Sequence, residues 1–376
     1  MNVVYDLQAY SFSPHGGIAR MFDEMLRAFA KRPDFSARLL RVPGLKRVPP
    51  LAENVAFSSF PDLPLRFHKY RLLGGAYSRM ERLYWRRVGA DLYHPTFYPL
   101  HDRMDALPCV VNVYDLIHER IEGADDMPDL RGFLKRKSKF ILKAARVICI
   151  SEATRKDLLD IYKVDPARVR VVHLGRNSVF RKMDIVDARM KRKEILKDFD
   201  RPYILYVGSR QRYKNFHMLV QAYGRWARSR DIGLVVVGGH QRPEDRLILD
   251  LSGSPRHVRF VGHADDETLC ALYNGAEFFT YPSQLEGFGI PLLESMAAGC
   301  PICCSDIPVF REIAGDLPAY FDPASADSAV AALDKALTLK ADPQMQRMLA
   351  ERASQYSWEF TARKVWDVYA EAVAAP

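Results

Sequence analysis

The stretch FFTYPSQLEGFGIPLLESMAAGCPICC, residues 278–304, reads as one unit of an alternating α/β chain. Phe278–Tyr281 and Pro301–Cys304 are short apolar runs of the kind that form buried strands. Between them a glycine-bearing loop leads to Pro291, a residue suited to the first turn of a helix, and the helical pattern runs over 291–298. Strand, loop, helix and strand in that order form a parallel pair with a crossover, the repeat of a sheet covered by helices.

The same alternation extends in both directions. After a charged stretch over 181–201, strands are expected at Tyr203–Val207, Leu234–Val237 and Val258–Val261, with helices near 215–229, 243–252 and 266–275. Before it, strands are expected at Val3–Tyr5, Leu92–His94, Val110–Tyr114, Val147–Ile150 and Val169–His173. Ile18, Met21, Phe22, Met25, Leu26 and Phe29 recur at helical spacing over 18–31, and Ser151 is placed to cap another helix. The charged stretch opens a second unit. The expectation is therefore an α/β chain of two doubly wound, Rossmann-like domains, residues 1–178 and 179–357, facing each other across a cleft.

Of 376 residues, 48% are hydrophobic and 27% charged, an ordinary globular balance. The first ten residues lack the basic and apolar regions of a secretion signal, and no apolar run approaches the ~20 residues needed to span a bilayer. Cys109, Cys149, Cys270, Cys300, Cys303 and Cys304 lack metal-binding spacing and read as reduced thiols, which points to a cytoplasmic protein. The net charge of +9 is uneven. Residues 1–178 carry 30 basic and 20 acidic side chains, and the remainder 25 and 26. With no nucleic-acid-reading motif, the basic half suits anionic membrane lipid at the inner face better than nucleic acid, and the candidate helix 131–146 reads as a solvated face or as a patch for a membrane surface or an anionic acceptor. GxGxxG is absent, which argues against a dinucleotide dehydrogenase.

Ligands of such sheets lie beyond the carboxyl ends of the strands, and the informative residues follow strands here. Glu286 stands in the loop after Tyr281, and Glu294 follows eight residues later, so two carboxylates can meet different parts of one long ligand. Backbone amides of Phe288, Gly289 and Ile290 at a helix start favour phosphate or sugar oxygens. YVGSRQRYKN, 206–215, runs from a strand into Gly208 and then Arg210, Arg212 and Lys214, cations suited to a diphosphate, with Asn215 placed to cap the next helix. In SPHGGIAR, 13–20, Gly16 and Gly17 bring amides close to donor phosphates or an acceptor. VNVYDLIHER, 111–120, offers Asp115 and His118, and DLYHPTFY offers His94 beside aromatic rings that can stack on a sugar. VVVGGH and RFVGHADDE, the latter with Gly262, end strands in glycines that can edge a nucleobase. Asp198-Phe199-Asp200 precedes a strand and is not assigned to a metal.

EGFGIPLLE, SRQRYKN, GGIAR and their spacing resemble the family 4 retaining glycosyltransferases of the GT-B fold. ISEATRKDLLDIYKVDPARVRVVHLG, 150–175, and YSWEFTARKVWDVYAEAV, 356–373, resemble the family's lead into its second domain and its closing helix. The resemblance implies that the helix from about 358 to 376 packs back on the first domain. It also implies a hexosyltransferase using a nucleotide-diphosphate sugar, GDP-mannose or a UDP-hexose, and a polysaccharide or lipid-linked acceptor. It implies no cofactor and no metal. By the same resemblance Glu286 contacts the donor sugar, Glu294 the ribose, Arg210 and Lys214 the diphosphate, and Gly16 and Gly17 the donor or acceptor. One departure is Tyr114, where many relatives carry His before Asp-Leu, so the sugar contact in that segment rests with His118 or Asp115. A sugar-nucleotide epimerase on the same fold, and a non-catalytic sugar-nucleotide-binding subunit, are the alternatives.

Overall fold

A computed structural model of the chain describes residues 1–14, 16–40, 45–49, 52–57, 83–98, 107–123, 127, 129–251 and 257–375. His15 of the SPHGGIAR motif lies outside them. The chain forms two compact units. One comprises Met1–Leu116, Met127–Gly175 and Trp358–Pro376, the other Ile117–Asp126 and Arg176–Ser357.

In the first unit β1 (Asn2–Asp6), β2 (Ser36–Leu40), β3 (Val55–Phe57) and β4 (Leu92–His94) form a sheet in the order β3-β2-β1-β4. β5 (Val110–Val113), β6 (Arg146–Cys149) and β7 (Val169–Val171) continue it, since Tyr93 and Cys109 make a parallel bridge. All pairings are parallel, and the strand order reverses between β1 and β4. The helix Gly17–Ala30 turns Met21, Phe22, Met25, Leu26 and Phe29 inward, as its spacing predicts. Ser151 caps Glu152–Tyr162 by accepting from the Thr154 amide at 3.0 Å.

The helix Trp358–Val373 packs within this same unit. The Tyr369 hydroxyl lies 2.9 Å from that of Tyr5 and 2.6 Å from His94 Nδ1. Glu371 takes Arg146 at 3.0 Å and Arg170 at 2.8 Å.

The second unit holds β8 (Tyr203–Val207), β9 (Gly233–Val237), β10 (Val258–Val261), β11 (Phe279–Tyr281), β12 (Ile302–Ser305) and β13 (Ala319–Phe321), ordered β10-β9-β8-β11-β12-β13. This sheet too is parallel throughout. Ile204, Tyr206, Leu234 and Val236 pack with residues of the helices Phe216–Arg225 and Ala326–Lys340. The alternate residues Tyr203, Leu205 and Val235 are equally buried, so both faces are covered, as a parallel sheet requires.

β2, β3 and β13 are not among the expected strands. β2 reads SARLL with Arg38 at its centre, and the other two are three residues long, too brief for a period to show. Asn215 also departs from expectation. It occupies the N-cap position of Phe216–Arg225 in a left-handed conformation (φ 57°), and its side-chain amide donates to Pro323 O at 2.8 Å instead of capping. No helix among the described residues is long and apolar enough to cross a membrane.

Candidate active site

The strand order of the second unit reverses between β8 and β11, and the loops that follow these two strands carry the strongest motifs. They are tied by the Gln284 amide, which donates to Tyr213 O at 2.8 Å. Lys214 Nζ then reaches Glu286 Oε1 at 2.7 Å, with the two side chains 15% and 9% exposed. The ammonium also lies 5.6 Å from the centre of the Tyr281 ring, which stacks on Phe310. Burial first, and then the Glu286 charge, hold the Tyr281 hydroxyl well above its ordinary pKa, so it remains a proton donor beside that carboxylate. A cation and a carboxylate in contact, little exposed but reachable, supply what a phosphate and a hydroxyl-bearing ring need on two sides of one bond.

Gly289 has φ 103°, a conformation that L side chains rarely adopt, and starts the helix Ile290–Ala297 with Pro291 in its first turn. Phe288 is buried and meets Tyr356 edge to face. Glu294 lies on the inner side of this helix, 5% exposed, and its Oε2 accepts from the Tyr273 hydroxyl at 3.2 Å. Tyr273 was not anticipated as a site residue. It falls in the expected helix 266–275, but nothing in the spacing of the chain joins it to a residue 21 positions later.

Arg210 is not beside Lys214 and Glu286 in its bonding. Its side chain is 3% exposed, and it donates from Nε to Asp245 Oδ2 (2.9 Å), from Nη1 to Gly238 O (2.9 Å) and from Nη2 to His240 O (2.6 Å). The resemblance places Arg210 on the diphosphate; in this structure its guanidinium is turned to Asp245 and these two carbonyls. The backbone behind it is close-packed. A Cβ on Gly238 (φ 128°) would stand 2.1 Å from Gly208 O. Gly238 and Gly239 both donate their amides to Gly262 O at 3.1 Å, so Gly208 and Gly262 brace the loop.

In the first unit Gly16 precedes the helix Gly17–Ala30, and a Cβ on it would sit 2.3 Å from Ser13 Oγ. The backbone oxygen of Asp115 accepts from Lys137 at 2.8 Å. His118 lies in the short helix Ile117–Arg120, which is grouped with the second unit rather than the first as the sequence suggested. Tyr114 donates to Thr96 O at 2.8 Å. Thr96 in turn donates, through Oγ1 at 2.8 Å, to the buried Asp6, which also receives Tyr93 at 2.8 Å. His94 is fully buried against Tyr369, and burial drives its pKa down to about 3. It is a neutral core histidine with no face for a sugar.

Residues 15–178 match the model of Glycosyltransferase Family 4, and residues 187–356 that of Glycosyl transferases group 1. The chain belongs to the family 4 glycosyltransferases, and its fold is GT-B. The O-antigen chain mannosyltransferase B of Escherichia coli is 26% identical over 81% of this chain and 80% of its own length. The O-antigen chain mannosyltransferase RfbU of Salmonella typhimurium is 30% identical over 49% of this chain and 50% of its own. Among solved structures, a glycosyltransferase from Rickettsia africae superposes with a TM-score of 0.77 at 15% identity, covering 100% of this chain and 99% of that one.

Proposed function

We propose that this glycosyltransferase moves a hexosyl group from a nucleotide-diphosphate sugar to a polysaccharide or lipid-linked saccharide, with retention at the anomeric carbon and no bound metal. The Lys214–Glu286 contact across the switch point is the observation that carries this reading. Mannose is the first sugar to test, since the relatives named above are mannosyltransferases; GDP-mannose leads the donors, with a UDP-hexose second.

On this reading Lys214 exchanges part of its bond with Glu286 for a phosphate oxygen and offsets the charge that grows as the diphosphate departs. Glu286 accepts from donor-sugar hydroxyls, and Glu294 from the ribose diol. The amides of Phe288, Gly289 and Ile290 at a helix start favour the same anion. The bond from the anomeric carbon to the phosphate oxygen breaks with its electron pair on phosphate. The acceptor oxygen bonds to the same face of that carbon, and its proton passes to the leaving phosphate oxygen. No protein base is then required. His118 and Asp115 are the side chains proposed to meet the sugar or acceptor, and Gly16 and Gly17 the backbone. The basic helix Leu130–Lys143 is proposed to bring the protein to anionic lipid on the cytoplasmic side of the membrane.

The test is release of nucleoside diphosphate from a panel of GDP- and UDP-sugars with lipid and polysaccharide acceptors, with and without chelator. Acceptor-dependent transfer that survives the chelator and gives product with the donor's anomeric configuration is expected. Donor turnover with no acceptor would make it an epimerase. Absence of both binding and turnover with every donor would reject the assignment, and failure to sediment with anionic vesicles at low salt would reject the membrane contact.

A further inference from the structure

We infer that the second cation on the donor diphosphate is Arg212, and that Arg210 is a positioning residue which acts through Asp245. The inference rests on the reading of the 208–215 turn as the diphosphate site, and it departs from the resemblance, which pairs Arg210 with Lys214 there.

Arg210 is committed elsewhere. Its guanidinium is 3% exposed, and its acidic partner Asp245 is 1% exposed. Asp245 uses both oxygens. Oδ2 receives Arg210 Nε at 2.9 Å and the Arg242 amide at 2.8 Å, while Oδ1 receives Arg242 Nη2 at 3.1 Å. Nη1 and Nη2 of Arg210 meanwhile hold two carbonyls of the loop after β9, Gly238 O and His240 O. Swinging this group out to an anion would strip one donor each from a buried carboxylate and two carbonyl oxygens. Left in place, the same bonds fix the loop after β8 against the loop after β9. That contact is already so close that Gly238 has no room for a Cβ beside Gly208 O. A guanidinium with five donors in a rigid fork suits this splinting role, and Lys would not replace it.

Arg212 has the opposite character. It is exposed, it opens the single turn Arg212–Lys214, and it stands two residues before Lys214. Its guanidinium makes no hydrogen bond or ion pair with the described residues, and its Nη1 lies 3.6 Å from where a Cβ on Gly123 would stand. The turn is held by its own backbone, with Lys214 N donating to Gln211 O at 2.9 Å and Asn215 N to Arg212 O at 3.1 Å, so the Arg212 side chain carries none of that duty. An uncommitted fork beside a lysine already at the switch point is the arrangement that bidentate phosphate contact requires.

The experiment is calorimetric binding of GDP and UDP, and of guanosine and uridine, to the full chain and to R212Q, R210Q and D245N, with Tm recorded for each. The readout is the preference for nucleoside diphosphate over nucleoside. R212Q is expected to lower that preference about tenfold or more, the worth of a charge-assisted contact, with Tm unchanged. R210Q and D245N are expected to weaken nucleoside and diphosphate alike, keep their ratio and lower Tm together. Loss of the preference in R210Q with the preference intact in R212Q would overturn the inference. So would a D245N protein that binds diphosphate more tightly, because that is what freeing a phosphate-binding Arg210 from its competitor would do. Should R210Q and D245N fail to fold, R212Q decides alone, and an unchanged preference refutes it. A wild-type chain that binds no nucleotide would instead reject the diphosphate reading itself, which separates the two failures.

Discussion

The Tyr273 hydroxyl donates to Glu294 Oε2 at 3.2 Å, joining the helix Asp266–Gly275 to the helix that begins at the Gly289 turn. Both side chains are buried, so this bond fixes the direction in which the carboxylate presents its other oxygen. Tyr273→Phe keeps the ring and removes only the donor. Donor KM is expected to rise about three- to tenfold, with kcat within about twofold, from loss of one hydrogen bond. Donors lacking the ribose 2′- or 3′-hydroxyl should show a smaller change. An equal loss on intact and deoxygenated donors would separate Tyr273 from ribose recognition.

Lys214 and Glu286 are proposed to act on opposite sides of the bond that breaks. Lys214→Ala and Glu286→Ala should each lower kcat/KM by about 10²–10³. Because the two groups are in contact, the double variant should fall well short of the product of the single losses. Steady-state rates on the best donor decide this, and near-wild-type rates in either single variant would remove that residue from the mechanism.

Gly238→Ala places a methyl group 2.1 Å from Gly208 O at a φ of 128°, so the loop after β8 has to move. The expected outcome is folded protein with a Tm lowered by several degrees and nucleotide affinity lowered at least about tenfold, since close packing transmits the shift. Calorimetry and thermal unfolding on one preparation measure both. Unchanged nucleotide affinity would mean that the β8 loop does not shape the site.

His94 gives a pH dependence. Its pKa is 6.5 when solvated and about 3 in the folded chain, so the unfolded chain binds the extra proton. The stabilisation is complete above pH 6.5 and is lost as pH falls from there towards 3, at up to about 1.4 kcal/mol per pH unit. Urea unfolding of the wild type should weaken over that range, and His94→Gln should show a shallower acid slope. Identical slopes would place the acid sensitivity elsewhere.

Much of the fold is readable from residues alone where both faces of a strand are apolar and a breaker follows, as in Tyr203–Val207 before Gly208. Ser151 is equally legible, because a hydroxyl next to a helical pattern has one economical use. The strands that escaped are the short ones and the one interrupted by Arg38. At the site, the loops carrying Lys214 and Glu286 were visible because each follows a strand. The commitment of Arg210 was not, since its partner Asp245 lies 35 positions away in the helix Pro243–Leu251. His94 misleads for the same reason. What makes it a core residue is Tyr369, 275 positions along the chain.

The helix Trp358–Val373 supplies Tyr369 and Glu371 to a unit whose other strands are made first. During synthesis, then, the earliest-made sheet cannot seal His94 and Tyr5 until Tyr369 has left the ribosome. The later-made sheet, complete by residue 357, has every strand it needs before that. Order of manufacture and order of completion are thereby inverted, and nascent chains that have exposed residue 357 but not residue 369 outside the ribosome should carry a finished second unit and an unfinished first.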